Sequence, residues 1–142
     1  MAYSTQPKAW FWILAIIFLL WNLIGLGALT RELFAPEQLT EMMNEEELEL
    51  YNARPSWYII NYAIAVLSGL FACLALLFKR KLAVILSLIS LFTVLISTGY
   101  NLSTGTWEIV SLSEKVFFVL IPVMAILLWL FCRSVNQKGW LK

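Results

Sequence analysis

The sequence predicts an all-α integral membrane protein, a bundle of four transmembrane helices with a short acidic helical cap on the external side. Three observations predict it. Of the 142 residues, 61% are hydrophobic and 13% are charged, against about 45–50% apolar and about 25% charged in soluble domains. Four runs approach or exceed the roughly 20 apolar residues needed to cross about 30 Å of hydrocarbon. None of the four contains Lys, Arg, Asp or Glu. A chain this short cannot bury that much apolar surface in one water-soluble core, so residues 1–142 read as a single membrane domain.

The first span covers residues 9–29, with Asn22 as its only strongly polar member. Lys8 and the small residues Gly25-Leu26-Gly27 resemble a signal-peptide frame. The apolar run is 21 residues long, however, whereas a signal core has about 7–15, and a retained helix is expected. The external connection 30–55 carries seven Glu and two Arg. Pro36 suits the first position of a short helix, with Leu39, Met42 and Met43 at helical spacing. Asn44 suits the amino-terminal cap of a second, where Glu45, Glu46 and Glu47 favour the helix dipole, followed by Glu49. This acidic cluster suits a cation or a cationic partner, and equally a solvated helix face.

The second span, 57–78, and the third, 82–100, are joined by little more than Lys79-Arg80-Lys81, so they form a tight antiparallel hairpin. That basic turn serves as a topology signal and offers anionic lipid headgroups a contact. The connection from Asn101 contains the turn Ser103-Thr104-Gly105-Thr106. The triplet Asn101-Leu102-Ser103 matches a glycosylation acceptor, but it lies hard against a membrane end. The fourth apolar run is 116–132, and a capping box at Ser111 and Glu114 starts its helix outside the hydrocarbon near Leu112, giving a span of 112–132. Pro122 inside it removes a backbone hydrogen bond and favours a bend.

Charge sets the orientation. Lys8, Lys79, Arg80, Lys81, Arg133, Lys138 and Lys142 fall on one side of a four-span path, with no acidic residue. The other side holds Arg31, Arg54 and Lys115 together with all nine Glu. The excess of basic residues places both termini in the cytoplasm and the chain in the plasma (inner) membrane.

Helices in hydrocarbon associate through small residues and scattered polar side chains. The second span offers the groove Ala65, Gly69 and Cys73 at spacing i, i+4, i+8, with Asn61 one turn earlier. The third offers Ala83, Ser87, Ser90 and Ser97, with Thr93 alongside. Trp21, Asn22, Asn61 and Tyr62 either pack these helices together or line a polar-aromatic cavity for a neutral, sugar-like solute.

Composition excludes much chemistry. With no His and no Asp, no triad, imidazole ligand or aspartate dyad exists. Spans free of ionisable groups disfavour proton relays and pumping. Cys73 and Cys132 lack CxxC spacing and read as packing residues. No phosphate-binding loop and no nucleic-acid array is present. The expectation is a protein that is not an enzyme, with no cofactor, no metal and no nucleic-acid partner.

The words Phe11-Trp12-Ile13-Leu14 and Leu20-Trp21-Asn22-Leu23-Ile24-Gly25 resemble a group of small four-helix bacterial inner-membrane proteins. So do the acidic loop ending Arg54-Pro55-Ser56-Trp57, the stretch Tyr62-Ala63-Ile64-Ala65-Val66 and the Lys79-Arg80-Lys81 turn. Members of that group often carry a sugar-transporter label. The resemblance implies a four-helix unit, and for any neutral solute it points to Trp21, Asn22, Asn61 and Tyr62. Two functions therefore remain open. One is a non-enzymatic protein acting by contact, with another membrane protein or with itself, as an accessory subunit or small oligomer. The other is a carrier or channel for a neutral small solute.

Overall fold

The computed structural model describes residues 7–142; residues 1–6 of the amino-terminal tail, whose cytoplasmic side was inferred from charge, lie outside the described residues. Seven helices follow one another: α1 (Ala9–Phe34), α2 (Pro36–Thr40), α3 (Glu45–Ala53), α4 (Ser56–Leu77), α5 (Leu82–Ser103), α6 (Thr106–Ile109) and α7 (Leu112–Gln137). Among the described residues there is no strand. Helices α1, α4, α5 and α7 are each long and apolar enough to cross a bilayer. The protein is an all-α, multi-pass membrane bundle.

The local signals of the sequence act where they stand. Asn44 Oδ1 accepts the Glu47 amide at 2.8 Å and starts α3, and Pro36 occupies the first turn of α2. Ser111 Oγ accepts the Glu114 amide at 3.4 Å and starts α7. Through Pro122 that helix continues without a break.

Three helix ends differ from the expected spans. α1 runs to Phe34 rather than residue 29, α5 to Ser103 rather than 100, and α7 to Gln137 rather than 132. An apolar run stops where charge and polarity begin, whereas a helix stops where its backbone ladder loses partners. The 26 residues of α1 rise about 39 Å, more than the hydrocarbon thickness of about 30 Å. Its last turns, with Arg31 and Glu32, therefore stand in the interface. The connection between α5 and α7 is shortened to Thr104, Gly105, the single turn of α6, Val110 and Ser111, with Gly105 at φ 79°. Asn101, expected in a loop, is instead inside α5.

The spans form an open ring. α4 packs most extensively on α5, α5 on α7, and α1 on α4. At the centre of the α4 contacts, Ala65, Gly69 and Cys73 are buried. Ser90 Oγ of α5 donates to the Ala65 carbonyl at 2.8 Å. Asn22 of α1 donates to the Phe18 carbonyl at 2.8 Å and to Cys73 Sγ at 3.4 Å. Gly69 sits between those two contacts. A Cβ there would collide with Asn22 Oδ1 and lie 3.1 Å from Ser90 Oγ. The small-residue groove therefore admits two neighbouring helices at once.

The end of the bundle that carries Lys79–Lys81 is filled. Gly139, at φ 78°, turns the chain back at the end of α7, and the Trp140 amide donates to the Val135 carbonyl at 3.2 Å. This is the left-handed stop that glycine permits most readily. Trp140 and Leu141 are then buried against Phe11, Leu76 and Val135. Lys142 bonds the hairpin turn in both directions, donating to the Lys79 carbonyl at 2.7 Å and accepting from the Lys81 amide at 3.0 Å.

Replacing Gly69 with Leu drives a side chain into Asn22 and Ser90. Overpacking of this kind costs about 1–3 kcal/mol. Thermal unfolding in mild detergent is expected to show the loss, and an unchanged midpoint would mean that the groove faces lipid.

Candidate functional site

Three helix contacts close a four-helix ring only in part. α1 and α7 meet mainly through rings rather than by close backbone approach: Phe11 and Phe18 against Phe131, and Trp21 stacked on Phe117 at 6.3 Å between centroids. Behind the Trp21–Phe117 pair lies a cavity of about 440 Å³. It occupies the half of the bundle distal to Lys79–Lys81, between the later turns of α1 and α5 and the earlier turns of α4 and α7. A volume of this order suits a small molecule.

Polarity in the cavity is graded. Its deep end is bounded by Ala65, Val94, Ala125 and Leu128, together with Asn22 and Ser90, whose donors are engaged by Cys73 and Ala65. Towards the membrane surface stand Tyr58, Tyr62, Thr98 and Asn101. Asn101 Nδ2 donates to the Tyr58 hydroxyl at 3.0 Å, joining α5 to α4. Tyr62 and Thr98 make no side-chain hydrogen bond to any described residue.

An ion pair stands near the outer rim. The Arg54 guanidinium bonds the Glu32 carboxylate, and both side chains are largely buried. Arg54 also lies over the rings of Tyr51 at 4.3 Å and Tyr58 at 4.5 Å. One cation thus links α1, α3 and the start of α4, and each contact is strengthened where water is excluded. Tyr62 lies within electrostatic reach of the same pair. At a neighbouring corner, Lys115 Nζ lies over the Trp107 ring at 5.4 Å, and Trp107 packs edge-on against Phe118.

The residues singled out from sequence fall into separate places. Trp21, Asn22 and Tyr62 line the cavity. Asn61 does not: it is buried between α4 and α5, donating to the Thr93 carbonyl at 2.8 Å and to Ser97 Oγ at 2.6 Å. Ala65 borders the cavity, whereas Gly69 and Cys73 hold α1 and α4 together below it. Glu45, Glu46 and Glu49 are exposed, and Glu47 is half-buried. The Glu47 carboxyl is pushed above its ordinary range, first by desolvation and then by the nearby charge of Glu114. Among the described residues, no group of His, Cys, Asp and Glu is arranged to hold a metal ion. Lys79 is half-buried, and Arg80 and Lys81 are exposed at the opposite end.

Sequence reasoning missed Glu32, Arg54, Tyr58, Asn101 and Phe117. A signal existed for Arg54: it is one of three basic residues on a side holding all nine Glu, with Tyr51 and Tyr58 flanking it. No comparable signal marked Asn101 or Phe117. Comparison with known proteins adds no further guide, since no family model, curated protein or solved structure matches the chain.

The ion pair gives a direct test. Glu32→Gln or Arg54→Gln leaves the other charge largely buried and unpaired, a loss of about 1–3 kcal/mol. A double-mutant cycle read by thermal unfolding is expected to give a coupling energy on the order of 1 kcal/mol. Additive single effects would show that the two side chains do not interact.

Proposed function

We propose that this chain is a non-enzymatic protein of a bacterial inner membrane that acts by contact, as an accessory subunit or a small oligomer. The end carrying Lys79–Lys81 faces the cytoplasm, and the acidic cap lies outside. The observation that carries the reading is that, among the described residues, no polar route runs the length of the bundle. Asn61 is taken up by Thr93 and Ser97, Ser90 by Ala65, and Asn22 by Phe18 and Cys73. Below them Phe11, Leu76, Val135, Trp140 and Leu141 fill the basic end. A permeating solute would have to displace that cluster.

The distribution of basic residues supports the orientation, because positively charged loops are retained in the cytoplasm. Exposed Glu45, Glu46 and Glu49 give a partner an acidic face to meet. Resemblance to the small bacterial membrane proteins described above supports the choice of membrane. A carrier for a neutral solute is the second reading, and the cavity bordered by Trp21, Asn22 and Tyr62 favours it.

Purification in mild detergent is expected to yield a stoichiometric complex, either with a second membrane chain or with further copies of this one. Asn61→Leu then weakens packing or assembly by about 0.6–2 kcal/mol and alters no flux. A monomer that moves a neutral sugar into liposomes, and loses that flux in Asn22→Leu or Asn61→Leu while remaining folded, would reverse the assignment. For orientation, a cysteine placed at Gln137 is expected to react with a membrane-impermeant thiol reagent only after the membrane is opened. Labelling in intact cells would invert the topology.

A further inference from the structure

We infer that the cavity is a binding site for a neutral, single-chain amphiphile drawn from the surrounding leaflet. Such a ligand carries a hydroxyl or carbonyl head and a hydrocarbon tail, as a monoacylglycerol does.

Three features of the cavity lead to this class. Access comes first. At the α1–α7 seam, Ile24 and Phe117 line the cavity and are also 65% and 51% exposed on the outer surface of the bundle. A residue that borders both regions is a wall one side chain thick. Among the described residues no hydrogen bond or ion pair joins α1 to α7, so rotation of Trp21 or Phe117 opens the wall without exposing a backbone polar group. The other directions are obstructed: the apolar cluster around Phe11, Leu76 and Val135 fills the basic end, and the Arg54–Glu32 pair stands near the rim at the acidic end.

The second feature is the direction of the polarity. Hydroxyls and an amide (Tyr58, Tyr62, Thr98 and Asn101) lie towards the membrane surface, and mainly aliphatic side chains lie towards the bilayer centre, where the Asn22 amide nitrogen and the Ser90 hydroxyl already donate to Phe18, Cys73 and Ala65. Lipids in that leaflet have the same order, head outward and tail inward. A sugar, polar on all sides, would leave its hydroxyls unpaired against Ala65, Val94 and Ala125.

Charge is the third feature. The residues lining the cavity include no Lys, Arg, Asp or Glu, and the Arg54 guanidinium, which lies over the lining residue Tyr58, is already paired with Glu32. An ionised headgroup would be desolvated without a partner. Tyr62 and Thr98 have hydroxyls free of side-chain hydrogen bonds to described residues, and they supply the donors and acceptors that a neutral head needs.

The test uses the full chain in phosphatidylcholine nanodiscs with a monoacylglycerol bearing a diazirine in its acyl chain. After illumination, adducts located by mass spectrometry are expected to concentrate on cavity residues such as Trp21, Ile121 and Met124. Unlabelled monoacylglycerol should compete them away, while an alkyl phosphate of equal chain length and free glucose should not. Tyr62→Phe and Thr98→Val are each expected to weaken competition about threefold to tenfold, the loss of one hydrogen bond in a membrane interior. Ala28→Trp at the rim, or Ala125→Phe at the deep wall, should abolish the cavity adducts in protein whose melting is unchanged. Adducts spread over the lipid-facing surfaces and insensitive to whichever of these fillings folds would overturn the proposal. Equal competition by the alkyl phosphate would overturn the neutral head, and competition by glucose would overturn access from the bilayer.

Discussion

At Gly69 the missing side chain lets α1 and α5 both come close to α4, and the rest of the bundle follows from that approach. Asn22 lies on one side of the glycine and Ser90 on the other. Each side chain also finds an acceptor, the Asn22 amide nitrogen at Phe18 and Cys73 and the Ser90 hydroxyl at Ala65. With α1 and α5 both held against the Gly69 face of α4, α7 packs on a further flank of α5. Its gap from α1 is then bridged by rings, and the void behind those rings is the cavity. A driving force that owes little to hydrophobicity between helices makes such close approaches more decisive in a bilayer than in water.

The two halves of the molecule solve different problems. At the basic end an apolar cluster occupies the interior, and the returning segment with Trp140 and Leu141 joins it. At the acidic end, charges and rings meet at the water boundary, where Arg54 joins Glu32, Tyr51 and Tyr58. Between them the polar groups of the spans are mostly absorbed by neighbouring helices. In the acidic half the α1–α7 seam is bridged by the Trp21–Phe117 pair, with the cavity behind it.

Much of the fold was legible in the sequence because its signals are local. Apolar length gave the four spans, and Asn44, Pro36 and Ser111 gave the starts of α3, α2 and α7. The ends at Phe34, Ser103 and Gln137 were less legible, since hydropathy reports where charge begins and not where carbonyls lose their partners. The groove at Ala65, Gly69 and Cys73 could be read from spacing, but which helices entered it could not. The cavity was only half visible. Trp21, Asn22 and Tyr62 announced themselves as polar or aromatic residues in a span, whereas Asn101 was obscured by a turn signal and Phe117 by ordinary apolar surroundings. Glu32 and Arg54 are 22 positions apart, and no periodicity links them.

The ring-bridged seam between α1 and α7 also decides how the molecule yields to mechanical stress. Stretching a bilayer pulls neighbouring helices apart, and the resistance is least where dispersion forces alone oppose separation. Three of the four sides of this bundle are fastened by close backbone packing; the fourth is a clasp of aromatic rings. Strain is therefore concentrated at Trp21 and Phe117 while the α4–α5 hairpin stays rigid, giving the bundle one soft side and a fixed direction of compliance in the plane of the membrane.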